Sequence, residues 1–74
     1  MLSQRFQLFI PTLAIVQIDG HHTTMYVPTG DVVMVTNGPL NGARLVDVEW
    51  KGRTAMMFAS DLRERAELVL EASN

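Results

Sequence analysis

The sequence predicts an all-β fold: a small five- to six-stranded antiparallel barrel with one short helical turn near the C-terminus. Three observations predict it. Short β-rich stretches recur along the 74 residues, punctuated by Gly, Pro and Asn. The stretch Leu45–Trp50 alternates, with Val46, Val48 and Trp50 set against Asp47 and Glu49. A Lys51-Gly52 turn then leads into a second β-rich run, Arg53–Phe58, which is the pattern of a hairpin.

The elements follow in order. Residues 1–11 form an N-terminal extended segment, in which Phe6, Leu8 and Ile10 alternate with Arg5, Gln7 and Phe9. Pro11 interrupts it, because proline has no N–H to give a ladder. A strand resumes over Leu13–Asp19, with Leu13, Ile15 and Ile18 as its inward side. Gly20-His21-His22 is a turn, and Thr23–Val27 is β-rich again. Pro28-Thr29-Gly30-Asp31 is a strong turn signal: proline presets φ and Gly30 accepts positive φ. In Val32–Thr36, Val33 and Val35 share one face, and Val32, Met34 and Thr36 the other. Both faces are apolar, so one of them is expected to meet a partner or the chain's own N-terminal segment. Residues 37–42 form a loop.

The Lys51-Gly52 turn admits two registers. A two-residue loop sets Trp50 opposite Arg53. A three-residue loop with Gly52 left-handed sets Glu49 opposite Arg53, which adds an opposite-charge pair of about 0.2–1 kcal/mol. The second gathers Val46, Val48, Thr54, Met56 and Phe58 on one face and is the expected register. It turns Leu45, Ala55 and Met57 outward. Because a one-residue slip inverts every side chain, this choice decides which residues are surface. Ser60 is expected to cap a helical turn over residues 60–63, and Glu67–Leu70 to form a closing strand. The alternative for the tail is a longer helix, on the spacing of Leu62, Ala66, Val69 and Leu70.

Composition narrows the function classes. One domain fits this length, and a chain so small buries only about 60% of its unfolded surface. There is no cysteine, hence no disulfide or thiolate zinc site to reinforce the core. A hydrophobic fraction of 47% must do that work, with homo-oligomer formation as an expected aid. The formal charge is −2, without the basic footprint usual in nucleic-acid binders. Arg5 before the apolar stretch 6–16 has the outline of a secretion signal. Gln7, Pro11 and Thr12 break it and no small-x-small site follows, so it is read as strand. No run approaches the ~18 apolar residues of a membrane span, and the expected location is cytoplasmic, without membrane partners.

Four resemblances enter here. The series of short strands, hairpin turns and late helical turn resembles a Src-homology-3-like barrel. Within it, Gly30-Asp31-x-Val33-x-Val35-x-x-Gly38-Pro39-x-x-Gly42 resembles the KOW motif of transcription-elongation and ribosomal proteins. That resemblance implies contact with RNA or RNA polymerase, with Arg44, Lys51 and Arg53 as the nearest cations. Asp31, Asp47 and Glu49 crowd the motif, and the second glycine expected near Leu45 or Val46 is missing. The centre Leu-Val-Asp-Val-Glu-Trp…Met-Met-Phe…Asp-Leu-Arg resembles that of short bacterial proteins and implies no activity. The plasmid-borne type II dihydrofolate reductase is similar in size and class. Its pore element Val-Gln-Ile-Tyr is not matched at Thr54–Phe58, and Val16-Gln17-Ile18 lies in an early strand.

No catalytic, cofactor-binding or metal-binding residues are expected, and the chain is not expected to be an enzyme. His21 and His22 are neighbours, which point to opposite faces of an extended chain and chelate poorly. Core packing is expected of the methionines Met25, Met34 and Met56, with Met57 the exception that the register turns outward; the alternative for the set is a soft pocket with Phe58. Trp50 with Tyr26 offers at most a sparse groove for proline-rich peptides. The leading expectation is a protein-binding and assembly module, self-association included, with Val32, Met34, Leu45, Ala55 and Met57 as its interface. The rival expectations are a KOW-type nucleic-acid module and an oligomeric enzyme with a pore between subunits.

Overall fold

The computed structural model describes residues 4–37 and 44–69. Seven strands and one helix succeed one another: β1 (Gln4–Leu8), β2 (Thr12–Ile18), β3 (His21–Val27), β4 (Val32–Asn37), β5 (Leu45–Trp50), β6 (Arg53–Phe58), α1 (Ala59–Arg65) and β7 (Ala66–Val69). Every strand pairing is antiparallel, in one sheet of order β3-β2-β6-β5-β4-β1-β7. The all-β class is as expected. The strand count and closure are not: seven strands replace five or six, and the sheet is open, with β3 and β7 at its ends.

The reason lies in β3. Its sequence His-His-Thr-Thr-Met-Tyr-Val offers no apolar face to bury, and only Val27 is buried. Among the described residues the β2–β3 hairpin is strand-paired with β6 only at Ile15–Met56 and Val16–Ala55. Its tip is a two-residue turn, Asp19-Gly20, with φ of 50° and 79°. Both residues are left-handed, the geometry that matches strand twist. His21 and His22 therefore belong to β3 rather than to the turn.

One face of the sheet lines a single core of Leu8, Ala14, Val16, Val27, Val33, Val46, Val48, Trp50, Ala55, Met57, Leu62 and Ala66. A sheet whose strands all send side chains to one cluster must curl around it. On β2 the inward residues are Ala14 and Val16, with Thr12, while Leu13 and Ile15 are only half-buried and face outward. Thr12, 1% exposed, satisfies its hydroxyl by donating to the Ile10 carbonyl at 2.9 Å. On β4 the faces fall as predicted: Val33 is buried, Val35 packs against the core, and Val32 and Met34 are outside.

The β5–β6 register corrects the sequence reading. Trp50 pairs with Arg53, Val48 with Ala55, Val46 with Met57 and Leu45 with Phe58. Lys51 at φ 52° and Gly52 at φ 75° make a two-residue turn. The Glu49–Arg53 pair on which the three-residue loop was preferred is worth under about 1 kcal/mol. Keeping Trp50 in the ladder buries an indole of roughly 150–250 Å², worth roughly 4–6 kcal/mol at 25 cal/mol per Å². Trp50 also donates its Nε1–H to Asp31 Oδ2 at 2.9 Å. Burial wins, and Ala55 and Met57 turn inward at 2% and 0% exposure, while Met56 and Phe58 turn outward.

The turn before β4 is tied to β1. Leu8 N donates to the Asp31 carbonyl, Gly30 N to the Leu8 carbonyl and Gln7 Nε2 to the Gly30 carbonyl. Gly30 has φ 92°, as its place in the turn required. The helix begins at Ala59 and runs to Arg65, longer than the expected 60–63. Ser60 lies inside it, and Phe58 stands at the cap position without a side-chain bond, so the capping role assigned to Ser60 is withdrawn. Leu62 plugs the core, and Arg65 pairs with Asp61 one turn back at 3.5 Å. Strand β7 then pairs with β1. The predicted closing strand is present through Val69, and Leu70 lies outside the described residues. No helix described is long and apolar enough to cross a membrane.

Candidate functional site

The outer face of the sheet holds the candidate site. On an antiparallel sheet directly paired residues share a face. Leu13 pairs with Tyr26, and Ile15 pairs with Thr24 on one side and Met56 on the other. Met56 pairs with Asp47, and Phe58 with Leu45. Two residues along from the Ile15–Met56 pair, the same register brings Leu13 abreast of Phe58. A row Tyr26–Leu13–Phe58–Leu45 therefore crosses four strands, with Ile15 and Met56 beside it.

These side chains are not packed away. Tyr26 is 67% exposed, Phe58 37% and Leu45 36%, and Leu13, Ile15 and Met56 are half-buried. Hydrophobic residues scattered singly on a surface are ordinary; a contiguous apolar patch marks a docking surface. Its border is polar: Thr24, Asp47 and Asn37, whose Nδ2 donates to Asp47 Oδ2 at 3.5 Å.

Of the five interface residues expected from sequence, three face outward. Leu45 belongs to the row. Val32 and Met34 lie elsewhere, paired with Gln7 and Arg5, and Met34 also with Glu49. Ala55 and Met57 are core, because the two-residue turn that keeps Trp50 in the ladder sets them on the inner face opposite Val48 and Val46. Leu13, Ile15, Tyr26, Met56 and Phe58 were missed, and the signal that finds the last two is the Lys-Gly turn itself, read as a two-residue loop.

The other candidates separate rather than converge. Arg44 is exposed just before β5, and Lys51 and Arg53 lie beyond its other end. A six-residue strand puts roughly 20 Å between them, and Asp47 and Glu49 stand on the outer face along the way. Lys51 Nζ is 3.5 Å from Asp31 Oδ2 and 5.5 Å from the centre of the Trp50 ring. Asp31, Trp50 and Lys51 thus brace the turn before β4 against the tip of the β5–β6 hairpin. Trp50 points inward and Tyr26 outward, so they do not share a groove. The methionines divide as well, with Met57 in the core, Met25 exposed, and Met34 and Met56 half-buried. His21 pairs with Ile18 and His22 with Gln17, on opposite faces. Among the described residues no group of His, Cys, Asp and Glu side chains could hold a metal ion. Gly38, Pro39 and Gly42 of the KOW-like motif lie outside the described residues.

Comparison with protein-family models, with curated proteins and with solved structures finds no match to this chain.

Proposed function

We propose that this chain is a small Src-homology-3-like binding and assembly module that docks protein on its outer face and associates with itself. The observation that carries the reading is the apolar row Tyr26–Leu13–Phe58–Leu45, which runs out to the sheet's end strand. Support for the Src-homology-3-like kinship comes from connectivity. A meander β4-β5-β6 is followed by a short helix and a strand returning beside β1, and the β2–β3 hairpin is inserted between β1 and β4. The module works by burying apolar area and has no catalytic part.

Tyr26 belongs both to the row and to the end strand, so Tyr26→Asp tests the reading at one position. Sedimentation velocity over a concentration series is expected to show association in the native chain and its loss in Tyr26→Asp. A native chain that stays monomeric throughout the series overturns self-association.

A KOW-type nucleic-acid module is the second reading, drawing on Gly30, Asp31, Val33 and Val35 of the motif. Arg44, Lys51 and Arg53 give it little, since they are split along β5 and Lys51 is engaged by Asp31. Titration of labelled RNA at two salt concentrations separates the readings, because phosphate binding is strongest at low salt. No binding at low salt removes it.

A further inference from the structure

We propose that two copies of this chain join through β3, antiparallel about a two-fold axis at Thr24, so that their sheets become one. The proposal rests on the self-association read above and names its surface.

Strand β3 is the end of the sheet, and among the described residues nothing pairs with its outer side. The hairpin geometry fixes which backbone groups are left there. In a two-residue turn the flanking residues, Ile18 and His21, exchange both backbone bonds. The alternation continues through Val16–Thr23, Ala14–Met25 and Thr12–Val27. The N–H and C=O groups of His22, Thr24 and Tyr26 therefore point away from β2.

The two ends of the sheet are built differently. Folded proteins protect a free edge by keeping it short, by placing charge or proline on it, or by bulging it. Among the described residues β7 has four, with Glu67 exposed. β3 has seven residues, His21 to Val27, with no Asp, Glu, Lys, Arg or Pro among them and no register shift against β2. Six of its seven side chains are exposed. It is the edge that is left available.

The same strand is complementary to itself. An axis at its central residue, Thr24, uses the whole strand and keeps outward-pointing groups opposite outward-pointing groups. Thr24 meets the partner's Thr24, His22 meets the partner's Tyr26, and Thr23 meets the partner's Met25. No acidic or basic pair meets across the axis, although each chain carries a formal charge of −2. A second copy is the partner that supplies a strand of matching length and neutrality. The isologous arrangement also closes. Pairing β3 with β7 of another copy would propagate without end, and the described part of β7, four residues with Glu67 exposed, matches the length and neutrality of β3 poorly. In the joined sheet the row Leu45–Phe58–Leu13–Tyr26 of each copy ends on the partner's His22, so both docking faces stay open.

The test combines residue-resolved amide exchange with sedimentation. In the native chain, raising the concentration is expected to slow exchange at His22, Thr24 and Tyr26. Thr23 and Met25 are bonded to β2 and should be protected at every concentration. Thr24→Pro removes an N–H that the hairpin does not use, and Thr24→Lys sets two ammonium groups against each other. Thr24→Pro is expected to weaken the dimer about 100-fold, as the loss of backbone bonds across the axis implies, and Thr24→Lys to weaken it through the like charges it sets directly opposite each other. Phe58→Asp, on the face and off the edge, is expected to leave it intact. A dimer lost in Phe58→Asp but kept in both Thr24 variants overturns edge pairing and leaves the assembly reading standing. A native chain that is monomeric throughout overturns both. Filaments in place of a closed dimer overturn the two-fold axis.

Discussion

The two faces of the β5–β6 hairpin are made from adjacent residues and obey different rules. Inside, Val46, Val48, Trp50, Ala55 and Met57 are nearly free of solvent and interlock. Outside, Leu45, Phe58 and Met56 are apolar too, yet they stay partly exposed among Asp47, Glu49 and Thr54. Hydrophobicity alone does not sort the two sets, since Met56 and Met57 differ in nothing but phase. What sorts them is the turn. Two left-handed residues at the tip fix the pairing, and the pairing assigns every side chain on both strands.

Substitutions can break this contrast in order of size. Met57→Ala leaves a cavity at a fully buried site and is expected to cost about 2–5 kcal/mol, a large share of the stability of a domain this small. Urea denaturation reads it, and a loss below 1 kcal/mol would mean that Met57 is not core. Next comes Trp50→Phe, which keeps an aromatic ring but deletes the bond to Asp31. About 1–2 kcal/mol should go, and Asp31→Ala made in the Trp50→Phe background should cost less than it does alone. That non-additivity is the signature of the pair.

Gly52→Ala probes the turn. A Cβ there would meet no atom within 4 Å, so its cost is conformational and is expected near 1 kcal/mol from φ 75° alone. A thermal melt unchanged by Gly52→Ala would contradict the left-handed turn. Phe58→Ser, on the outer face and at the cap position of α1, should change stability by no more than about 1 kcal/mol, since the apolar contact it loses is offset by a hydroxyl able to cap the helix. A loss of several kcal/mol would place Phe58 in the core and restore the three-residue register.

Much of the fold was legible in local sequence. Gly and Pro marked the turns at 28–31 and 51–52. The grouping of Val33 with Val35 and of Val32 with Met34 on the two faces of β4 was readable, although both faces are apolar and neither was marked as inner, and the change from helix to strand after Ser60 was readable to within a few residues. The failures share a physical cause. Leu13-Ala14-Ile15-Val16 and Ala55-Met56-Met57-Phe58 are continuous apolar runs, and a run without alternation carries no phase. The small residues Ala14 and Ala55 take inward positions while the larger Leu13, Ile15, Met56 and Phe58 face outward, the reverse of what size and hydrophobicity alone suggest. Only long-range structure reveals that. The candidate site was legible in one residue, Leu45, because the rest depended on that missing phase. The partner that fixed it, Asp31, is nineteen residues from Trp50 in sequence, beyond the reach of any local pattern.

That pairing also gives the molecule a built-in optical probe. Trp50 is the sole tryptophan, and its indole N–H ends on a carboxylate delivered by a distant turn. Its emission therefore reports, without any label, the moment when the segment following the first hairpin docks against the tip of the second.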